Sequence, residues 1–466
     1  MIRPAENPKL RGKRVTVMGL GTFGGGIGAV QFLATRGARV VVTDLRSEQE
    51  LADSLVKLHD LPCVEFHLGG HSQQHFRNAE LIVVNPAVRP DNPYIELARQ
   101  NNIPLTSEMN LFWQHNRGQV VAVTGSNGKS TTTTMIHAML EASGHRCWLG
   151  GNIGGSLLPM VDQIESDHWV VLELSSFQLE DLNHLHASPD VAVVTNFSPN
   201  HLDRHDSLNA YREAKQSILR WQTADQISVL NRNDRDVVRW QTCAAQHWFG
   251  THDSGQTGVF QLGDQALIRI DDSEHIIPLR DCLNLSGRHN FQNALAAIAA
   301  ATAIGIAPSP IQQGLMNFTG LPHRLQFVAD IDGRTFYNDS IATTPESVQA
   351  ALKAFDQPIV LLAGGSDKQV DLLELAMTIA KKTKAVALMG QTAEQLAGSI
   401  DQCCSGCPIP HRSHSSLDAA FTWAVAQSAP GDIVLISPGC ASYDWFRNFA
   451  DRGDQFITLV NRLALR

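Results

Sequence analysis

The sequence predicts an α/β protein of three domains with mostly parallel sheets. Three features predict it. Short Val/Ile-rich runs alternate three times with amphipathic helical stretches, the pattern of layered α/β folds. Two of those runs end in glycine-rich turns that open helices, "RVTVMGLGTFGGGIG" and "QVVAVTGSNGKS". At 466 residues, the chain is also too long for one small core.

The first cycle, "RVTVMGLGTFGGGIGAVQFLATRGARVVVTDLR", reads as strand, glycine turn, helix and a second strand ending at Asp44. Gly19, Gly21 and Gly24 form G-x-G-x-x-G, with an acidic residue about twenty positions on, as in a Rossmann-like dinucleotide fold. Glycines there let the backbone approach a diphosphate at a helix N-terminus, so the motif suits any nucleotide diphosphate and not NAD alone. A tight turn packing helix against strand would use the same residues.

The second cycle begins at "QVVAVTGSNGKS" and includes "WVVLELSS" and "VAVVTNFS", buried strands followed abruptly by polar residues. Strand ends are where α/β proteins bind ligands. The loop Gly125, Ser126, Asn127, Gly128, Lys129, Ser130 and Thr131 resembles a P-loop shortened at its start, because Val123 stands where the first glycine belongs. Its amides would cradle phosphates, Lys129 would reach the outer ones and Ser130 would offer a hydroxyl to Mg²⁺. The helix it opens is expected to end at Gly144 in a left-handed cap. Glu173 ends an apolar strand, where a lone acid suits a magnesium ligand better than a solvated turn. No Asn-Lys-x-Asp base-reading motif of a GTPase is present, and the second cycle shows no hydrophobic strand ending in the Asp typical of motor ATPases.

The third cycle follows "FTGLPHRLQ" and contains "PIVLLAGGSDK", "AVALMG" and "DIVLISPGCAS". The resulting division is 1–107, 108–320 and 321–466.

Composition excludes several classes of function. A net charge of -9 without a dense Lys/Arg run gives no reason to expect nucleic acid or an anionic membrane. The first residues lack the apolar run of a signal peptide, and no segment reaches the roughly 18 apolar residues of a membrane span, so a cytoplasmic protein is expected. The "CCSGC" cluster, Cys403, Cys404 and Cys407, reads as reduced loop or surface thiols. His67, His71 and His75 are spaced four apart as metal ligands on a helix might be, but Gly69 and Gly70 argue against a helix there.

Taken in order, "TGSNGKST", "GGNIG", "LELSSFQ", "TNFSPNHLDRH", "YREAK", "SGRHNFQNALAA", "PHRLQ" and "LISPGCASYDWFRNFADRG" resemble the Mur ligases of bacterial cell-wall synthesis across nearly the whole chain. The last of these is most similar to the glutamate-adding branch. The resemblance implies a Rossmann-like UDP-binding domain, a central P-loop ATPase domain and a C-terminal Rossmann-like domain that binds the amino acid. It also accounts for the shortened loop, which the family shares.

The same resemblance implies the site. Leu20, Thr22, Phe23, Asp44 and Arg46 would surround the uridine diphosphate, with Asn85, Pro86 and Ala87 beside it. Asn152, Ser175 and His201 would contact the muramoyl-alanine end of the substrate or its metal. Asn290 and Asn293 would hold adenine, and Arg324 and Asp339 the remainder of ATP. Ser130 and Glu173 would bind one Mg²⁺, His201 and Lys215 a second. Lys215 would carry a CO₂-derived carbamate, which turns an ammonium that repels Mg²⁺ into an oxygen ligand; without its motif it would read as an ordinary lysine on an amphipathic helix. Lys129, His201 and Lys215 would be catalytic. Lys368, Thr343 and Ser442 would take the carboxylates of glutamate, with Phe449 packing nearby.

The implied reaction is ATP-dependent amide formation between UDP-N-acetylmuramoyl-L-alanine and glutamate, D-glutamate in this family, by a monomer. One departure stands out: family members commonly read Asp-Ser-Lys-Ala-Thr-Asn, whereas this chain has Asp339-Ser340-Ile341-Ala342-Thr343-Thr344. Loss of that lysine keeps an L-glutamate-adding variant open. The sequence also leaves room for another Mur ligase, for a nicotinamide dehydrogenase that would leave the second loop unexplained, and for a nucleotide-binding switch that releases no phosphate.

Overall fold

The computed structural model describes residues 10–21, 24–61, 63–199, 205, 207–270, 273–283, 288–367, 372–403 and 409–465. Three sheets organise them. The first has five parallel strands in the order Val64–Leu68, Arg39–Asp44, Arg14–Met18, Leu81–Val84 and Leu105–Thr106. The glycine turn expected after Met18 leads into the helix Gly25–Thr35, and the next strand ends at Asp44, as the motif predicts.

At the heart of the second sheet lies Gln119–Thr124, between Trp169–Glu173 and Val191–Val194. Val120, Val121, Val170, Val171, Val193 and Val194 are buried, because helices cover both faces of a parallel sheet and such strands are apolar on both sides. Cys147–Gly151 continues this sheet on one side, and Ile227–Asn231 followed by Ala245–Gly250 on the other. Beyond these the strands Gly258–Leu262, Gln265–Ile270 and Ser273–Pro278 form an antiparallel meander. The repeating α/β alternation did not anticipate that meander.

The third sheet runs Gln326–Ile331, Arg334–Asn338, Ile433–Ile436, Ile359–Ala363, Thr383–Met389 and His411–His414. It is parallel except for its first pair, a hairpin. Packing divides the chain into two compact units, one that ends at Phe318 and one that begins at Thr319.

Among the described residues no helix is long and apolar enough to cross a membrane. His67 lies on a strand, His71 on a loop and His75 on a short helix, so no single helix presents the three. Cys403 is half-buried at the last turn of the helix Ala393–Cys403, and Cys404 and Cys407 lie outside the described residues.

Candidate functional site

Val123 is a fully buried strand residue paired with Glu173, so the chain at that point is still extended and needs no glycine. The turn is made by residues 125–128, and the helix Lys129–Ala142 starts immediately after it. Gly128 has φ +80°, and a Cβ at that position would collide with Asn293 Oδ1. Its missing side chain therefore lets Asn293 lie against the phosphate loop, which brings one predicted adenine residue to the loop from the distant helix Arg288–Ala303. Asn293 Nδ2 in turn donates to Asn290 Oδ1 at 3.4 Å.

The rest of the loop is braced from the neighbouring strand end. Asn196 O accepts from Ser126 N (3.0 Å), Asn196 Oδ1 accepts from Asn127 N (2.9 Å), and Thr195 Oγ1 donates to Asn127 O (2.6 Å). With those two amides engaged, the first-turn amides of Ser130 and Thr131, which have no acceptor inside the helix, remain for an anion. Lys129 Nζ folds back onto Ser126 O at 3.1 Å. The helix ends as expected, with Gly144 at φ +80°.

Glu173 and Lys215 are both buried behind this loop, 1% and 2% exposed. Register places Glu173 beside Val123, and Asn152 grips it twice: Asn152 N donates to Glu173 O and Asn152 Nδ2 to Glu173 Oε1, both at 2.8 Å. The other carboxylate oxygen, Oε2, is buried without a hydrogen-bond partner. A buried acceptor left unpaired is costly unless something else satisfies it. Together with the buried hydroxyl-bearing Ser130, that oxygen fits a hard cation such as Mg²⁺.

Lys215 projects from the helix Leu208–Arg220, with Nζ 3.5 Å from Thr124 Oγ1 and 4.9 Å from the centre of the Tyr211 ring. Burial, reinforced by the positive charge of Lys129 and opposed by Glu173, pushes its amine down to about 6. Tyr211 OH lies 3.2 Å from Ser126 Oγ, so the helix carrying Lys215 also touches the phosphate loop.

Around the first glycine turn, Asp44 and Asn85 do structural work. The Asp44 carboxylate accepts from Gly21 N (3.2 Å) and Arg46 N (2.9 Å), while Asn85 Nδ2 donates to Gly19 O (3.1 Å) and Ala87 N donates to Asn85 Oδ1 (2.9 Å). Leu20 is fully buried in the core, so anything it offers a ligand comes from its backbone. Arg46 is exposed. A cleft of about 240 Å³ runs from Asn85, Pro86 and Arg89 to Phe177, Asp181 and His205. Ser175, predicted as a substrate contact, caps the helix Ser176–Asn183 beside that cleft through a reciprocal bond pair with Gln178.

His205 is a residue that the sequence motifs did not single out. It is buried, with Nε2 2.9 Å from Ser176 Oγ and Nδ1 3.3 Å from Glu180 Oε1, and it stacks on Phe177. The second histidine of "NHLDRH" was the available signal. Asn196, which orders the phosphate loop, stands second in "TNFSPNHLDRH", a motif that marked the segment without assigning this residue a role.

In the second unit, Asp339 follows the strand Arg334–Asn338 and is buried. Its Oδ2 accepts from Ser437 Oγ (2.7 Å) and its Oδ1 from Leu325 N (3.1 Å). Burial nonetheless pushes this carboxyl up to about 7, against the pull of those two donors and of Arg324. Arg452, fully buried, ties the Asp339–Thr343 turn to the loop before Ser442. Its Nε and Nη2 donate to Ser340 Oγ and Ser340 O at 2.9 Å, and Nη1 and Nη2 donate to Cys440 O at 3.2 Å. Ser340 Oγ reaches Phe449 O at 2.7 Å. Arg324, Asp339, Ser442 and Phe449 therefore belong to one neighbourhood, with Thr343 and Ile341 half-buried on its turn. Thr22, Phe23, His201 and Lys368 lie outside the described residues.

Three family profiles match the chain: "Mur ligase MurD-like, N-terminal domain" over residues 13–107, "Mur ligase middle domain" over 123–301 and "Mur ligase, glutamate ligase domain" over 323–440. Among curated proteins, the UDP-N-acetylmuramoylalanine--D-glutamate ligase of Roseiflexus sp. (strain RS-1) is 40% identical, over 97% of this chain and 99% of its own. The protein of the same name from Acidobacterium capsulatum is 38% identical, over 97% of each chain. Among solved structures, the UDP-N-acetylmuramate-alanine ligase MurC of Thermotoga maritima superposes with a TM-score of 0.62 at 20% identity, over 97% of this chain and 99% of that one. MurF from Acinetobacter baumannii gives 0.58 at 15% identity, over 97% and 93%. These two structural likenesses speak to the fold.

Proposed function

The chain belongs to the Mur ligase family, with its three-domain α/β fold; from that premise we propose that it joins D-glutamate to UDP-N-acetylmuramoyl-L-alanine, using ATP, in peptidoglycan precursor synthesis. The observation that carries the reading is the grouping behind the phosphate loop of Glu173, with one unpaired oxygen, and Lys215, with an amine pushed down to about 6. The relatives named for D-glutamate favour that isomer despite Ile341. The nicotinamide dehydrogenase reading falls, because end-to-end identity to ligases accounts for both glycine loops.

A carboxylate does not acylate an amine in water, because its carbonyl is unelectrophilic and oxide does not leave. The alanine carboxylate therefore attacks the γ-phosphorus of ATP, breaking the bond to ADP and forming an acyl phosphate. The neutral amino group of glutamate then attacks the acyl carbon; the carbon-oxygen bond to phosphate breaks, phosphate leaves and the nitrogen loses a proton. Lys129 and the Ser130 and Thr131 amides offset charge on the transferred group. Ser130 and Glu173 would hold one Mg²⁺, and His201 and carbamylated Lys215 the other. When bound, these ions supply charge neutralisation and orientation of the phosphates. Asn152 orients Glu173. Asn290 and Asn293 take adenine, and Arg324 and Asp339 the rest of the nucleotide. Thr343, Lys368 and Ser442 receive the glutamate carboxylates, with Phe449 alongside.

The uridine diphosphate would lie at the first glycine turn, among Leu20, Thr22, Phe23, Asp44 and Arg46, with domains divided at 107 and 320. We place the enzyme in the cytoplasm as a monomer. Phosphate release from ATP, assayed with each substrate omitted in turn, tests the reading. Release that requires both the UDP-sugar and D-glutamate supports it. Release independent of either one, or preferring L-glutamate, overturns it.

A further inference from the structure

The helix that follows the first sheet, Glu108–His115, is gripped at its start by two inward-facing carboxyl groups that the reaction above does not use. Ser107 caps it: Ser107 Oγ accepts from Asn110 N at 3.2 Å and also hydrogen-bonds the carboxylate of Asp181. Asp181 belongs to the helix Ser176–Asn183, which begins three residues after Glu173, and Asn110 Nδ2 donates to Asp181 O at 3.3 Å. The second carboxyl is that of Glu108. It accepts a hydrogen bond from Ser156 Oγ, and the same hydroxyl accepts from Leu158 N at 3.2 Å.

Ser156 lies four residues beyond Asn152, the residue that holds Glu173 by both backbone and side chain. It is also approached from the first-sheet side. A Cβ added to Gly28, in the helix after the first glycine turn, would run into both Oγ and Cβ of Ser156. One serine is thus fixed by the helix Glu108–His115 and pressed by the helix of the first glycine turn, while its own loop carries Asn152. Burial pushes the Glu108 carboxyl up to about 7, against the pull of the Ser156 hydrogen bond, which offsets part of that penalty.

We infer that Ser156, bonded to Glu108 and seated against Gly28, is a positioning residue: it sets the 152–158 loop so that Asn152 meets Glu173 and the UDP-linked substrate. The substrate's identity rests on the function proposed above. The physical basis is general, since partners that orient a ligand-holding group govern affinity at sites they never touch.

The test compares Ser156→Ala, Glu108→Ala, Glu108→Gln and Gly28→Ala with the parent protein. Steady-state constants are measured for each substrate, and Kd for UDP-N-acetylmuramoyl-L-alanine by calorimetry without ATP. Losing the hydroxyl or its acceptor should raise the KM and Kd of the UDP-sugar by about tenfold and leave the KM of D-glutamate unchanged. Glu108→Gln keeps an acceptor oxygen and should stay near the parent. Gly28→Ala should give the same split, and pairing it with Ser156→Gly should restore the melting temperature but not the affinity. The inference is overturned if kcat falls while every KM and the Kd hold, or if the D-glutamate KM rises equally. A parent protein that binds the UDP-sugar without turnover would count against the function reading, with the Kd comparison still decisive for Ser156.

Discussion

Lys215 offers the most exacting prediction. An amine pushed from its usual 10.5 to about 6 is mostly neutral at pH 7, roughly ten neutral to one charged. At the ordinary value the neutral share would be about three in ten thousand, so burial raises it on the order of three-thousandfold. Only the neutral amine attacks CO₂, giving a carbamate and a proton, so the site is primed for this modification. Protein stripped of CO₂ in a degassed buffer at pH 7 should lose ligase activity and recover it on adding bicarbonate. With ¹³C-bicarbonate, a carbamate carbon signal should appear and be absent from Lys215→Arg, whose guanidinium stays charged. Lys215→Ala should be inactive and partly rescued by short carboxylates that replace the missing oxygens. Unchanged activity without CO₂, or no carbamate signal in active protein, would refute the reasoning. The unmodified amine also has a stability signature. Between about pH 6 and 10.5 the unfolded chain binds the proton that the folded one refuses, so stability rises with pH by up to about 1.4 kcal/mol per unit.

Two further perturbations test other parts of the site. Gly128→Ala forces a left-handed conformation costing roughly 1–2 kcal/mol and drives a methyl into Asn293; binding of a fluorescent ATP analogue should weaken at least about tenfold, and unchanged binding would contradict the assigned contact. Asp339 has its pKa raised from 3.8 to about 7, so the folded chain keeps a proton that the unfolded chain loses, and stability falls as pH rises between these values, by on the order of 4 kcal/mol in total. Asp339→Asn should flatten that slope in urea unfolding at pH 5 and pH 8; an unaltered slope would show that the carboxyl is not the source.

Much of the fold was legible because parallel strands buried on both faces leave unmistakable apolar runs, as in "WVVLE" and "VAVV". The phosphate loop and Glu173 were legible for a related reason, since polar residues that break off such runs sit at the ligand-bearing edge. The meander at 258–278 and the hairpin at 326–338 were not. Their strands are only partly buried and mix polar with apolar residues, as in "SEHIIP". His205, Asn196 and Arg452 all stand in the motifs quoted above, Arg452 in the C-terminal signature, but their structural roles were not legible. Those roles come from partners 29, 69 and 112 residues away in sequence, and no local pattern records such distances. Val123, which looked like a missing glycine, proved to be the buried end of a strand, with the turn confined to residues 125–128.

The central claim is that the phosphate loop delivers the γ-phosphoryl group to an alanine carboxylate and not to water. Substrate labelled with ¹⁸O in that carboxylate tests it most directly, with the released phosphate analysed by mass spectrometry. Attack by the carboxylate, followed by expulsion of phosphate by the amine of D-glutamate, must move one labelled oxygen into each phosphate. Released phosphate carrying no label would contradict the account.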